Sequence, residues 1–165
     1  MPFKPDEFAS NLNKRGVAKA SHFEVKIIGG IDVATERDMT FRAETAELPG
    51  RTLSTNEYRI YGPIRKIPYA STYTDTTVTI LCSRDLAEKV YFEEWQNLIH
   101  NHKADANGGQ YNLGYYNDYI KPVIITTFDD MGGQTSEHTF NEAYPIGIAP
   151  ISLSWGSDEL IKLQI

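Results

Sequence analysis

The residues best able to do chemistry are few. His100 and His102 invite a metal reading, but at i and i+2 on a helix they point in divergent directions. No acidic or cysteine ligand accompanies them at a familiar spacing, so they read as surface histidines. Asp129-Asp130 precedes Gly132-Gly133; adjacent residues at a strand end point oppositely, and a polar hairpin tip accounts for the pair better than a metal or acid couple. Cys82 is the single cysteine, without a partner for a disulfide or a multi-cysteine metal site, and reads as core packing at a strand end. The sequence holds no G-x-S-x-G, no G-x-x-x-x-G-K-[ST], no H-E-x-x-H and no dinucleotide fingerprint. Catalytic residues can lie far apart in a chain, so this silence lowers the expectation of an enzyme without closing the question. No cofactor and no metal are expected.

Aromatic residues could stack on bases or sugars. Phe23, Phe41 and Trp95, however, fall on inferred core faces, where burial is the default, while Tyr111, Tyr115, Tyr116 and Tyr119 suit an interface. Acidic residues outnumber basic ones by 22 to 16, a net charge of −6, which disfavours tight attachment to a phosphate backbone. At 165 residues, 41% hydrophobic and 23% charged, the chain suits one globular unit. No apolar run approaches the roughly 20 residues of a membrane span, and Met1 to Arg15 lacks a secretory signal's apolar stretch. No membrane anchor is expected.

The elements that would position these residues are mostly strands. Residues 1–20, with Pro2, Pro5 and Gly16, read as an irregular N-terminal arm, and 21–165 as a single β domain. Phe23, Val25 and Ile27 alternate with polar neighbours, predicting a strand ended by Gly29-Gly30. Met39, Phe41 and Ala43 alternate similarly, predicting a second strand that runs toward the Leu48-Pro49-Gly50 turn. The stretch 48–71 alternates poorly and is broken by Gly62-Pro63 and Pro68, so its extended segments should be edge-like or project from the body. Thr76 to Leu81 is a strand. A helix over 84–102 follows, with Ser83 as its N-cap and Leu86, Val90, Tyr91, Trp95, Leu98 and Ile99 on one broad side. Leu86, Val90, Phe92 and Trp95 are the expected packing residues, and Asn107-Gly108-Gly109 ends the excursion. Val123 to Phe128 and Thr135 to Ala143 form a hairpin around Asp129–Gly133, and Ile146 to Trp155 and Leu160 to Ile165 read as further strands. The fold class is mainly β: a sandwich or barrel with one flanking helix.

The order of these landmarks resembles the tail-tube proteins of contractile-tailed bacteriophages. The resemblance is carried by Ser21 to Ile27, Met39 to Glu44, Ala46 to Gly50, Gly62 to Tyr69 and Thr77 to Leu81. It continues through Tyr91 to Gln96, Ala143-Tyr144-Pro145 and Leu153-Ser154-Trp155, over about residues 21 to 165. The family's last strand usually continues into further aromatic residues, whereas this chain stops at Ile165, implying a trimmed terminus or a different subunit contact.

The resemblance implies a structural subunit of the virion, assembled in the host cytoplasm, whose hexameric rings stack into a hollow tube and share one inner β-barrel. The implied lumen strands are Met39 to Thr45, Glu57 to Tyr69, Val123 to Asp129 and Ser136 to Ala143. Glu44, Asp129, Glu137 and Glu142 are then expected to make the lumen acidic, and six copies of −6 sum to −36. Pro49, Gly50, Tyr58, Tyr61, Arg65 and Lys66 are candidates for contacts between rings. Implied partners are other copies of itself, a sheath protein, a baseplate or tube initiator, a tail terminator, a tape-measure protein, and DNA in transit without specific binding. The competing readings are the tube of a pyocin-like or type VI contractile injection system, a baseplate or initiator protein, and, from another class, a small carbohydrate-binding domain. Open sheet edges support assembly on physical grounds, because joining copies edge to edge removes the edges, and head-to-tail stacking makes a filament.

Overall fold

The computed structural model describes residues 16–101, 112–156 and 158–165, together with Ser10 and Lys14. His102, Tyr111, Asn107-Gly108-Gly109 and most of the 1–20 arm lie outside them. Strand β1 (Phe23–Ile27) pairs antiparallel with β8 (Lys121–Phe128), which pairs with β9 (Gln134–Ala143), giving the order β1-β8-β9. A second sheet has the order β10-β5-β2, from Lys162–Gln164, Val78–Leu81 and Ala43–Ala46. β3 (Arg51–Tyr58) and β4 (Arg65–Tyr73) form a separate two-stranded hairpin, and β6 (His100–Asn101) with β7 (Asn112–Leu113) makes a short clip. The fold is mainly β with a flanking helix, as the alternation of residues implies.

The helix that matters for packing is α2 (Ala87–Ile99), set over a core of Met39, Ile80, Tyr91, Phe92, Trp95 and Leu163. Its inward stripe is Glu88, Tyr91, Phe92 and Trp95, spaced i, i+3, i+4 and i+7 as one helical face requires. Tyr91 and Phe92 meet edge to face at 5.3 Å, and Trp95 lies nearly parallel to Phe92 at 6.1 Å. Val25, Ile27, Val123 and Ile125 of the first sheet face Val78, Ile80, Phe92 and Trp95 across a small apolar cavity. The body is therefore two sheets and a helix closed on one core.

Several expectations are corrected. The predicted strand from Met39 is the end of helix α1 (Val33–Arg42), and β2 begins only at Ala43. Asp32 caps α1 by accepting from the Thr35 hydroxyl and from Ala34 N–H at 3.1 Å; the Thr35 bond first, then the backbone N–H groups, hold its carboxyl below the usual range. Thr35, Glu36 and Met39 are buried at helical spacing, whereas Phe41 is 78% exposed instead of lying in the core. Helix α2 spans Ala87–Ile99, not 84–102, so His100 lies in β6 and not on the helix; Leu86 occupies the N-terminal cap in the left-handed region, φ 53°. Ser83 still serves this end, accepting from Ala87 N–H at 3.3 Å. Val90 and Leu98 flank the stripe and are about half exposed, and Leu86 is half-buried. Residues 146–155 form no strand: Pro145, Gly147 and Pro150 interrupt them, and Trp155 is fully exposed.

Candidate assembly surface

The β3–β4 hairpin stands apart from the body. Sixteen of its 17 strand residues are exposed, all but half-buried Ser54. Its base is pinned by Gly50 and Thr74: Gly50 N–H donates to Thr74 Oγ1 at 2.9 Å, and Thr74 N–H to the Gly50 carbonyl at 3.0 Å. Pro68, which has no N–H, sits beside a bulge between Ser54 and Thr55, where a proline is tolerated. A two-stranded hairpin is at best marginal by itself in water, yet this one exposes Leu53, Tyr58, Ile67, Tyr69 and Tyr73. Its tip adds Ile60, Tyr61 and Ile64, with Tyr61 93% exposed.

The inter-ring candidates concentrate here. Tyr58, Arg65 and Lys66 lie on the strands, Tyr61 at the tip, Gly50 at the base and Pro49 half-buried beneath it. Lys66 Nζ approaches Glu57 at 4.0 Å across the strands, and the Arg51 guanidinium lies over the Tyr73 ring at 5.8 Å. Surface pairs of this kind add little stability.

The body has its own unfilled features. Among the described strands, β9 pairs only on its β8 side, so its outer edge lacks a strand partner. Beside it runs a groove of about 710 Å³, floored by β9 and walled by the hairpin base and the 144–147 turn. Its lining includes Phe140, Tyr144, Pro145 and Ile146 with two carboxylates, Asp75 and Glu142, and no lysine or arginine.

The four candidate lumen carboxylates do not converge on one point. Asp129 organises the β8–β9 turn, accepting from Met131 N–H at 2.9 Å and Gly133 N–H at 2.7 Å. Glu137 lies opposite Thr126, on the face alternate to core-facing Ile125, and accepts from Gln134 Nε2 at 2.8 Å. Glu142, near the other end of β9, accepts from the Tyr116 hydroxyl at 2.8 Å; that bond pushes the Tyr116 phenol above its ordinary value. Glu44 belongs to the second sheet and pairs with Lys162 at 2.6 Å.

Reading the sequence by pattern alone missed two buried carboxylates. Glu36 accepts from the Tyr91 hydroxyl at 2.8 Å and from Ile31 N–H at 3.2 Å; burial, then this bond, pushes the Tyr91 phenol far upward. Glu88, 1% exposed, would be raised by burial, but Ser83 N–H, its own N–H, the Ser83 hydroxyl and Arg42 outweigh that and lower it. The signal for Glu88 lay in Ser83, five residues earlier, and for Glu36 in the Asp32 cap before it. Cys82 packs against the core, and burial raises its thiol, so the nucleophilic thiolate is disfavoured. Among the described residues no three His, Cys, Asp or Glu side chains are grouped to hold a metal ion. No described helix is long and apolar enough to cross a membrane.

The described residues thus group little reactive chemistry and leave much unpaired strand edge and exposed apolar surface. The family described as "Phage tail tube protein" matches residues 4–165, and the chain belongs to that family. Among solved structures it is similar to a chain of the "Extracellular Contractile Injection System, PVC sheath-tube complex in extended state". The TM-score is 0.63 at 16% identity, covering 94% of this chain and 88% of the other, a likeness of fold. A search of curated protein sequences finds no match.

Proposed function

We propose that this chain is the repeating subunit of a contractile-tail tube: copies close into six-membered rings, and the rings stack into a hollow conduit for a phage genome. The observation that carries the reading is the β3–β4 hairpin, bare on both faces in the lone chain, in a member of the tail-tube family. Such a surface is stabilised when other copies cover it. Glu137 and Thr139, which share the face of β9 directed away from the core, supply the channel wall, and Asp129, Glu142 and Glu44 add to its acidity. A wall without dense cationic charge lets duplex DNA slide past without counterion release and capture. The tube works inside a sheath whose contraction drives it forward, with an initiator at one end, a terminator at the other and a tape-measure protein filling it before the genome does. The 1–20 arm and the hairpin bridge successive rings.

A second reading, a tube of an extracellular contractile injection system carrying protein, is favoured by the likeness to the PVC complex. Negative-stain microscopy of the purified protein at rising concentration tests both: rings or tubes of uniform diameter are expected. A strictly monomeric protein at high concentration refutes them together, and copackaged DNA or protein in native particles separates them.

A further inference from the structure

The two halves of the β3–β4 hairpin carry their apolar residues on opposite faces. Directly opposed residues of an antiparallel pair share a face, and successive residues alternate. In the basal half, Leu53 lies opposite Ser71 and Arg51 opposite Tyr73, while the reverse face holds Thr52, Ser54, Ala70 and Thr72. Beyond the Ser54/Thr55 bulge the chemistry changes sides. The face of Arg51 and Leu53 continues as Thr55, Glu57, Lys66 and Pro68, and the reverse face now holds Tyr58, Ile67 and Arg65. Each half's paired residues therefore present two large apolar side chains and one arginine, with Tyr69 as the extra residue of the bulge between them, a composition typical of buried protein contacts. A single flat partner cannot cover both.

Resting on the tube reading above, we infer that the hairpin is a two-sided connector, docking through its basal and distal halves onto two different copies of this chain. Charge supports a second copy as occupant. Residues 51–73 hold Arg51, Arg59, Arg65 and Lys66 against Glu57, a charge of +3, so the rest of a chain totalling −6 carries −9. The distal half is the part free to enter another molecule, because the base is tied to its own body through Gly50 and Thr74. The groove beside β9 matches it in kind: apolar walls, the carboxylates of Asp75 and Glu142, and no competing lysine or arginine.

The test uses Leu53→Asp and Ile67→Asp, one per docking face, with Thr72→Asp and Thr55→Asp as controls on the reverse faces. Because the hairpin adds little to the body's core, all four should keep the thermal midpoint of the unassembled chain. Both docking variants should lower the fraction pelleted as tubes about tenfold or more, since each buries a charge. They should stop at different sizes by analytical ultracentrifugation, because each removes a different neighbour, while the controls pellet like the parent. Normal pelleting by either docking variant, or arrest of both at the same size, overturns the two-sided connector while leaving the tube reading intact. A parent chain that never sediments beyond a monomer overturns both.

Discussion

Replacing Trp95 tests whether helix α2 is the keystone of the body. The indole is 2% exposed, lies against Phe92 and Tyr91 with centroid distances of 6.1 Å, and donates from Nε1 to the Tyr119 carbonyl at 2.7 Å. Trp95→Ala removes this packing and leaves the carbonyl without its donor, a loss of about 3–5 kcal/mol. Trp95→Phe keeps a ring and loses mainly the donor, about 1–2 kcal/mol. For a chain of this size each kcal/mol moves the thermal midpoint by about 2–4 °C, so Trp95→Ala should fall by about 6–20 °C. Leu98→Ala, at a position 44% exposed on the same helix, should stay within about 0.5 kcal/mol. Urea unfolding followed by circular dichroism, at a concentration where the chain is unassembled, reads all three. A Trp95→Ala midpoint within error of Leu98→Ala would refute the argument that this stripe organises the core.

Phe92→Ala, at 3% exposure, should cost about 3–5 kcal/mol in the same assay. Glu88 has a folded-state pKa below its unfolded value, so its contribution is present above the unfolded carboxylate range, about 4.3, and is lost as pH falls through the folded value. Glu88→Gln should therefore destabilise at pH 7, and its difference from the parent should shrink as urea titrations descend from pH 5 to pH 2; a constant gap would sink this account. Gly29→Ala places a Cβ 2.1 Å from the buried Tyr91 hydroxyl and should cost about 1–3 kcal/mol. Adding Tyr91→Phe removes the obstructing oxygen, so the double variant should lose less than the sum of its parts. Asp129→Ala removes two acceptor contacts at the β8–β9 turn and should lower stability by about 1 kcal/mol, measured by chemical denaturation.

Much of this fold is written in alternation. A period of two puts Phe23, Val25 and Ile27 on one face, where they lie opposite Thr127, Ile125 and Val123, and Asp129 to Gly133 turn where the glycines permit. The projecting character of 48–71 was legible from its broken pattern and Pro68. Helix α1 was not, since Met39, Phe41 and Ala43 imitate a strand over five residues; the longer spacing of Thr35, Glu36 and Met39 and the Asp32 cap decide for the helix. Proline and glycine override the apolar residues of 146–155. For the assembly surface, the sequence points to residues and not to faces: nothing in 51–73 says that a bulge moves the apolar side chains across the hairpin. Glu88 is held locally by Ser83 but also by Arg42, 46 residues away, a contact on which local pattern is silent.

The isolation of the β3–β4 hairpin also has a kinetic meaning. Fixing its 17 strand residues costs on the order of 1–2 kcal/mol each in backbone entropy, and its own copy returns little of that through packing. The earliest encounter between two free molecules must meet this charge unaided, whereas a molecule arriving at a surface already shaped to receive the hairpin meets it with help. On the tube reading, assembly of the purified protein should therefore show a lag that shortens as its concentration rises or as preformed ends are added.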